Sequence, residues 1–269
     1  MVARRTLFFA CIIATAASSF ALGVFQARKG SAADARGADA TSRATIVAEV
    51  KQQLASEMGL VPVSLLRDRR SSFVELHSYD RAGQKHYGTA GYLGHGYFIT
   101  VKHAVVGLGR DDEEVSASPI ASVAVVYHGQ EIPAQIVDTG DANVEVHRGD
   151  WAIIRSDDVD LPALRVDTGF AFDFADPIFR LGNDYSRGVI LSSGYVGQRT
   201  SNGLVTCLID GHPGVSGGGV LNQRGDLVGI PIGRMDGDFR FSFLLPVRSE
   251  MLRKVPDYSV AAVSLIAGR

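Results

Sequence analysis

A serine flanked by glycines is the most chemically informative feature of the sequence. Ser216 lies in the segment Gly214-Val215-Ser216-Gly217-Gly218, which leads directly into a strand-like run. Glycines on both sides let the backbone adopt conformations closed to other residues and let a substrate approach closely. The hydroxyl is therefore a candidate nucleophile, and the main-chain amides of Gly214 and Ser216 are candidate donors to a developing oxyanion. The alternative is a glycine-rich hairpin with an incidental serine.

The order of the histidines restricts the kind of hydrolase that Ser216 could serve. All seven histidines precede Ser216, whereas in α/β-hydrolases the acid and then the histidine follow the nucleophile. The subtilisin order, with the acid before the histidine, belongs to an α/β sheet that a strand-rich chain does not resemble. The remaining common order is histidine, aspartate and then serine. The seven histidines are His77, His86, His95, His103, His128, His147 and His212.

A histidine and an aspartate at strand edges complete that order. His103 follows the apolar strand of GYFITVKHAVV, and Asp150 precedes the apolar strand of GDWAII. Rigid strands commonly hold catalytic residues on adjoining loops. Taken singly, such a histidine is more often structural or solvated, and such an aspartate is usually a turn residue. Their joint occurrence ahead of Ser216 favours a catalytic interpretation.

The elements that must position these residues are almost all strands. Runs rich in Val, Ile, Phe and Tyr alternate with Gly, Asn and Asp clusters, which is typical of an all-β barrel or sandwich. Parallel βαβ units are not supported, because their crossovers need a dozen or more residues. The strand-rich part covers about 190 residues, which suits two small barrels better than one. The eleven segments are SSFVELHSY, GYFITV, ASVAVVYHG, AQIVDTG, WAIIRS, PIFRLGN, VILSSGYVG, LVTCLID, GVLNQ, DLVGIPIG and FRFSFLLPV.

Composition and charge exclude several classes of function. The 27 Lys and Arg nearly balance the 29 Asp and Glu, so no charge excess favours a nucleic-acid partner. The chain has two cysteines, Cys11 and Cys207, which form neither a disulfide framework nor a metal site. Cys207 is expected to be a free, strand-buried thiol. No metal and no cofactor are expected.

Three ordered blocks resemble the chymotrypsin-fold serine proteases. GYFITVKHAVV resembles their histidine block, GDWAII their aspartate block and GHPGVSGG their serine block, with the bacterial HtrA/Deg branch most similar. The resemblance covers about residues 71–250. It implies two six-stranded antiparallel β-barrels, the first over residues 71–165 and the second over residues 166–258, followed by a tail at 259–269.

The resemblance also implies a mechanism and a role for each residue. Ser216 would attack the peptide carbonyl, His103 would carry the proton, and Asp150 would orient the histidine. Gly214 and Ser216 would supply the oxyanion-hole amides. The expected activity is that of a serine endopeptidase, forming an acyl-enzyme with a protein or peptide substrate.

Substrate selectivity rests on five residues near the serine. Asp210 lies six positions before Ser216, where an acid selects Lys or Arg in trypsin-like enzymes, although HtrA relatives carry a similar Asp without this effect. Ile230, Pro231 and Ile232 suggest an apolar wall that would favour a small or medium aliphatic side chain. His212 is a third possibility, since a histidine contacts acidic substrate side chains in glutamate-selective relatives.

Two departures from the HtrA pattern are visible. Val215 stands where an Asn is usual, so the side-chain bonds that shape the oxyanion turn are missing. Residues 247–269 are too few for a PDZ module, and none is expected. Val215 favours one alternative function, a catalytically impaired protease-like protein that binds peptides. A second alternative is an esterase on the same scaffold.

The first 70 residues predict export. Arg4 and Arg5 precede an uncharged, apolar stretch at residues 6–25, so residues 1–29 are either a signal peptide or a membrane anchor. Residues 30–70 are expected to form a linker with one short amphipathic helix at 45–59. The folded part would then act in the periplasm or outside the cell, with possible tethering to the inner membrane through residues 6–25.

Overall fold

The N-terminal part of the described chain is one helix. A computed structural model describes residues 42–55, 57–109, 119–184, 187–235 and 238–258, which divide after Met58 into two units. Residues 42–55 form helix α1, at the place where the sequence predicts an amphipathic helix. The apolar side chains Ile46, Val47, Val50, Leu54 and Met58 are exposed.

The first barrel holds the segments that carry His103 and Asp150. Short helix α2 (Val63–Arg70) precedes it, and a single turn of helix, α3 (His103–Val106), lies within it. All neighbouring strands are antiparallel and close in the order β1-β2-β3-β6-β5-β4. The strands are β1 (Phe73–Asp80), β2 (Lys85–Gly94), β3 (Tyr97–Thr100), β4 (Ile120–Tyr127), β5 (Gln130–Thr139) and β6 (Ala152–Ser156).

The second barrel follows with the same closed, antiparallel plan. Its strands close in the order β10-β11-β12-β9-β8-β7, and a turn of 3-10 helix (Ser249–Leu252) follows them. The predicted fold of two six-stranded antiparallel barrels is confirmed. The strands are β7 (Pro177–Asn183), β8 (Val189–Arg199), β9 (Val205–Leu208), β10 (Gly219–Leu221), β11 (Leu227–Met235) and β12 (Asp238–Pro246).

Three apolar cores hold the barrels together. One core fills each barrel, and a third contains residues of both, such as Phe73 and Ile99 from the first barrel and Phe179 and Leu227 from the second. Each large apolar side chain buried in this way contributes roughly 1.5–3 kcal/mol relative to its exposed state. Trp151 belongs to the shared core, where only 5% of its surface is exposed. The shared core therefore fixes the position of one barrel against the other.

The sequence predicts eleven of the strands and misses β2. All eleven predicted segments coincide with strands, but the run Lys85–Gly94, KHYGTAGYLG, lacks the apolar alternation of its neighbours. Cys207 is a free, buried thiol on β9, as expected, and burial raises its pKa to about 12. No helix of the described residues has the length and apolar character to cross a bilayer. The predicted apolar segment 6–25 and tail 259–269 lie outside those residues.

Candidate active site

Strand pairing brings His103 and Asp150 together. Strands β3 and β6 are antiparallel neighbours, and Thr100 at the end of β3 pairs with Ala152 at the start of β6. Residues that follow β3 therefore meet residues that precede β6. His103 begins α3 just after β3, and Asp150 lies two residues before β6, so the two side chains meet although they are 47 positions apart in the sequence.

Two hydrogen bonds join His103 to Asp150. The His103 ring Nδ1 donates to Asp150 Oδ2 at 2.7 Å, and the His103 main-chain amide donates to Asp150 Oδ1 at 2.9 Å. The Asp150 carboxylate is fully buried, whereas 14% of the His103 side chain is exposed. With its proton on Nδ1, a neutral ring presents Nε2 as an acceptor. His103 is therefore oriented to take a proton at the atom that faces away from Asp150.

A lysine next to His103 braces the same region. Lys102 Nζ donates to the carbonyl oxygens of Gly140 and Ala142, at 2.9 and 2.7 Å. These carbonyls belong to the chain that leaves β5 and leads towards Asp150. A charged donor on two carbonyls is stronger than a neutral one, so this contact restrains the spacing of the two segments.

Ser216 lies on a turn that needs glycine at two of its positions. Gly214 and Gly217 have φ values of +96° and +80°, in the left-handed region that disfavours other residues. A Cβ on Gly217 would lie 2.2 Å from Thr100 Oγ1 and 2.4 Å from the Thr89 carbonyl oxygen. The turn therefore packs against the first barrel more closely than any side chain would allow.

Thr89 on β2 ties this turn to both barrels. Its hydroxyl donates to the Gly214 carbonyl at 2.7 Å and accepts the Asn183 amide at 2.8 Å, and its amide donates to the Ser216 carbonyl at 2.9 Å. Thr100 Oγ1 in turn donates to the Thr89 carbonyl at 2.7 Å. Sequence reasoning misses Thr89 because it misses β2.

The amides of Gly214 and Ser216 are the two that are expected to bind an oxyanion. Within the part of the chain that the structure describes, the Gly214 and Ser216 amides donate to no carbonyl or side chain, whereas the Val215 amide donates to His212 O at 3.3 Å. The two outer amides can therefore donate to a bound oxygen.

Several of the candidate residues line a cavity of about 290 Å³. His103 and Ser216 both lie on its wall, and both also line a second cavity of about 350 Å³ on the β1–β2 side. Of the residues predicted to contact substrate, His212, Pro231 and Ile232 line the first cavity. Asp210 is exposed and Ile230 is fully buried in the shared core, and neither belongs to the lining.

Arg180 is a cavity residue that sequence reasoning misses. It lies on β7, is fully buried, and lines the same cavity as Ser216. The available signal was a charged residue within the otherwise apolar strand PIFRLGN. Across the described ranges, no group of three or more His, Cys, Asp or Glu side chains is placed to hold a metal ion.

Comparison with known families decides the class of the protein. A family model of the trypsin-like peptidase domain matches residues 88–230, which is more than half of the chain. The chain belongs to the trypsin-like peptidase family. The predicted class, a serine-type endopeptidase of the trypsin-like kind, is thereby confirmed.

Solved structures share the fold of this trypsin-like peptidase. The active form of the Rv3671c protease from M. tuberculosis matches with a TM-score of 0.59 and 18% identity, covering 71% of this chain and 83% of that one. The serine endoprotease from Yersinia pestis matches with a TM-score of 0.56 and 21% identity, covering 73% of this chain and 66% of that one. The HtrA-type protease AlgW with a tripeptide matches with a TM-score of 0.56 and 19% identity, covering 68% of this chain and 58% of that one. No curated protein matches the chain.

The residue between the two free amides of this trypsin-like peptidase is an apolar anchor. Val215 is 4% exposed, and its Cβ would lie 3.1 Å from a Cβ added to Gly182 on β7. The side chain therefore packs against the second barrel, where HtrA relatives usually carry an Asn. Packing against β7 and the bonds from Thr89 restrain the turn without a polar side chain at this position.

Proposed function

We propose that this protein is an exported serine endopeptidase that cleaves protein substrates with His103, Asp150 and Ser216. The observation that carries the proposal is that His103, joined to the buried Asp150 by two hydrogen bonds, lines the same cavity as Ser216. A buried carboxylate that fixes the ring through Nδ1 leaves Nε2 to act on the substrate side. Such an arrangement suits nucleophilic catalysis by serine.

The acylation step follows from these roles. The Ser216 oxygen attacks the carbonyl carbon of the scissile peptide bond, and its proton passes to His103 Nε2. The imidazolium that forms is stabilised by the Asp150 carboxylate, which stays ionised. The carbonyl oxygen becomes an oxyanion and accepts the Gly214 and Ser216 amides. Collapse of this intermediate breaks the C–N bond, and the proton on His103 goes to the leaving amine.

Deacylation repeats the same steps with water. His103 takes a proton from water, whose oxygen attacks the ester carbon on Ser216. The ester C–O bond then breaks, and the proton on His103 returns to the Ser216 oxygen. The products are a carboxylic acid and the free enzyme, so no cofactor or metal enters the cycle.

A fluorophosphonate probe tests the proposal directly. The probe labels an activated serine, so we expect labelling of the wild-type chain, loss of labelling in Ser216→Ala, and parallel loss of casein cleavage. Ser201→Ala is the matched control, because Ser201 is an exposed turn residue on the β8–β9 connection. We expect the control to label and cleave like the wild type.

Other outcomes identify the alternatives. Peptide binding without any labelling would favour a catalytically impaired, peptide-binding relative. Turnover of ester substrates without cleavage of casein or of a peptide library would favour an esterase. Either result would overturn the endopeptidase proposal.

Export is proposed from the sequence of residues 6–25. These residues are uncharged and long enough, at 20 residues, to span a bilayer as a helix. We expect the full chain in the membrane or exported fraction, and accessible to an external protease once the outer permeability barrier is opened. A chain without residues 1–29 should stay in the cytoplasm. Equal distribution of the two chains would contradict export by this segment.

A further inference from the structure

A buried arginine occupies a position that the barrel plan reserves for apolar residues. Side chains alternate along a strand, and on β7 Ile178 packs in the core of the second barrel while Phe179 and Leu181 pack in the shared core. Arg180 has the same parity as Ile178 and therefore projects to the inside of the barrel. It is fully buried.

The guanidinium of Arg180 has too few partners for its charge. Its Nη2 donates to Ser192 Oγ on β8 at 3.0 Å, while Nε and Nη1 are buried without a hydrogen-bond partner. Within the described ranges, no carboxylate lies within ion-pair distance of it. Asp210 and Asp184 act on it only as more distant charges, and burial lowers the pKa of Arg180. A buried charge without a partner is costly, which indicates a site prepared for an anion.

Arg180 and the proposed nucleophile line the same cavity. Pro231 and Ile232 form apolar parts of the lining of this cavity. His212, Arg234 and Glu145 also line the cavity, but each of them already interacts with other groups of the chain. Arg180 is a cation of the cavity lining whose Nε and Nη1 are buried without a hydrogen-bond partner.

The position of the amides defines which part of a substrate reaches Arg180. The Gly214 and Ser216 amides would fix the carbonyl of the scissile bond, so the side chain of the residue that supplies this carbonyl enters the same cavity. In an endopeptidase the chain continues on both sides of the bond. A carboxylate that reaches Arg180 must then belong to that side chain and not to a chain terminus.

We propose that Arg180 is a specificity residue that binds the side-chain carboxylate of Asp or Glu at the position preceding the cleaved bond. This inference rests on the proposed function, because it uses the same cavity and the same nucleophile. The unused Nε and Nη1 donate hydrogen bonds to the carboxylate, and Pro231 and Ile232 cover the methylene groups of the substrate side chain. The site would thus select acidic residues, although its side walls are apolar.

Matched peptides that differ only in the residue before the cleaved bond test the inference. Peptides with Glu or Asp before the cleaved bond are compared with matched peptides that carry Gln, Asn, Val or Lys. Of the Glu and Asp peptides, the one that is cleaved faster should have a kcat/KM about 10- to 100-fold higher than its Gln or Asn counterpart. This ratio corresponds to the free energy of one hydrogen bond to a charged group. Arg180→Met should abolish this ratio while retaining cleavage of the Gln and Val peptides. Removing an unpaired buried charge should not destabilise the fold.

Two further variants separate charge from structure. Arg180→Lys keeps a cation without the planar fork, so part of the acid preference should remain. Arg165→Gln removes an arginine whose side chain is 66% exposed and which lies outside the cavity lining. The preference should be unchanged in this control. An acid-to-amide ratio near one in the wild type, or a ratio unaffected by Arg180→Met, would overturn the inference.

A binding measurement keeps this test independent of catalysis. The Ser216→Ala chain should bind the uncleaved acidic peptide about 10-fold more tightly than its amide, and the difference should vanish when Arg180→Met is added. Fluorophosphonate labelling with no acid preference would reject the role of Arg180 and leave the proposed function intact. Acid-selective binding without labelling in the wild type would reject catalysis and leave the role of Arg180 intact.

Discussion

The two barrels share one strand plan, but they support their parts of the site differently. In the first barrel, the bonds that join His103 to Asp150 and Lys102 to the β5–β6 connection all come from within that barrel. In the second barrel, the turn that carries Ser216 is held by Thr89 of the first barrel as well as by its own strands. The His103–Asp150 pair is thus a self-contained unit, whereas the position of Ser216 depends on how the barrels pack.

This difference has a consequence for catalysis. Packing between barrels is provided by the shared apolar core, which is rigid but responds to any change in volume. The distance between Ser216 and His103 is therefore controlled by the contact between the barrels. Variants within the first barrel should affect the proton-transfer unit, and variants at the contact should affect where the hydroxyl lies.

Asp150→Asn should cause the largest loss, because it breaks the self-contained unit. An amide in place of the carboxylate can donate to Nδ1, which places the ring proton on Nε2 and prevents it from accepting the Ser216 proton. We expect kcat to fall by about 10⁴-fold with little change in fold. Asp226→Asn is the control, since this 7% exposed carboxylate pairs with Arg224 outside the cavity. A loss below tenfold for Asp150→Asn would contradict the role of this pair.

Gly217→Ala should break the contact between turn and barrel. The added Cβ would meet Thr100 Oγ1 and the Thr89 carbonyl at 2.2 and 2.4 Å, so the turn must move. A shift of about 1 Å costs roughly 10²-fold in rate. Gly203→Ala is the matched control, because Gly203 has a similar φ of +85° but nothing within 4 Å of the new Cβ. It should cost about 1–2 kcal/mol of stability and leave labelling unchanged.

Equal losses of labelling rate in the two glycine variants would assign the effect to backbone strain alone. The crowding of the turn against the first barrel would then have no role in placing Ser216.

Thr89→Val should weaken the same contact without crowding it. The Gly214 carbonyl and the Asn183 amide lose their buried partner, which costs about 1–3 kcal/mol of stability. We expect kcat to fall about tenfold with KM nearly constant, because the turn and not the cavity wall is disturbed. Thr89→Ser should restore kcat, since it restores the hydroxyl. A purely structural role would lower stability in Thr89→Val but leave kcat intact.

Thr206→Val provides the comparison within the second barrel. Its hydroxyl accepts the Gln198 amide at 3.0 Å on the β8–β9 hairpin, away from the serine turn. This variant should lose stability without a change in kcat.

Most of the fold and the central residues of the site could be predicted from the sequence, because they depend on local patterns. Apolar runs predict eleven strands, strand edges indicate His103 and Asp150 as candidates, and the flanking glycines indicate Ser216. Strand β2 escapes because glycines interrupt its pattern, and Thr89 escapes with it. The hydroxyl of Thr89 acts through two groups that are distant in sequence, the Gly214 carbonyl and the Asn183 amide, so no local pattern marks it.

The cavity was the harder part to predict. The sequence groups Ile230, Pro231 and Ile232 as one wall, whereas in the structure Pro231 and Ile232 line the cavity and Ile230 does not. A register shift between Pro231 and Gly233 interrupts the alternation of β11, so neighbouring residues can share a side. Arg180 is missed because a charged residue in a strand is normally predicted to be exposed, whereas the closed barrel buries it.

The smallest expected effect is a loss of stability of the first barrel at acidic pH. Glu131 on β5 accepts hydrogen bonds from Tyr79 and His77 on β1 and pairs with Lys85 on β2, which lower its pKa to about 2. Because the folded pKa is below the ordinary value of 4.5, the stabilisation is present above about pH 5 and is lost as pH falls towards 2. The side chain is 38% exposed, so we expect it to contribute less than about 1 kcal/mol of stability.

Thermal midpoints of Glu131→Gln should therefore lie below the wild type at pH 7 and approach it at pH 3. Glu250→Gln, at a 52% exposed carboxylate after the second barrel, should follow the wild type at both values, and an equal Glu131 effect at both pH values would remove the acid-sensitive link from the first barrel.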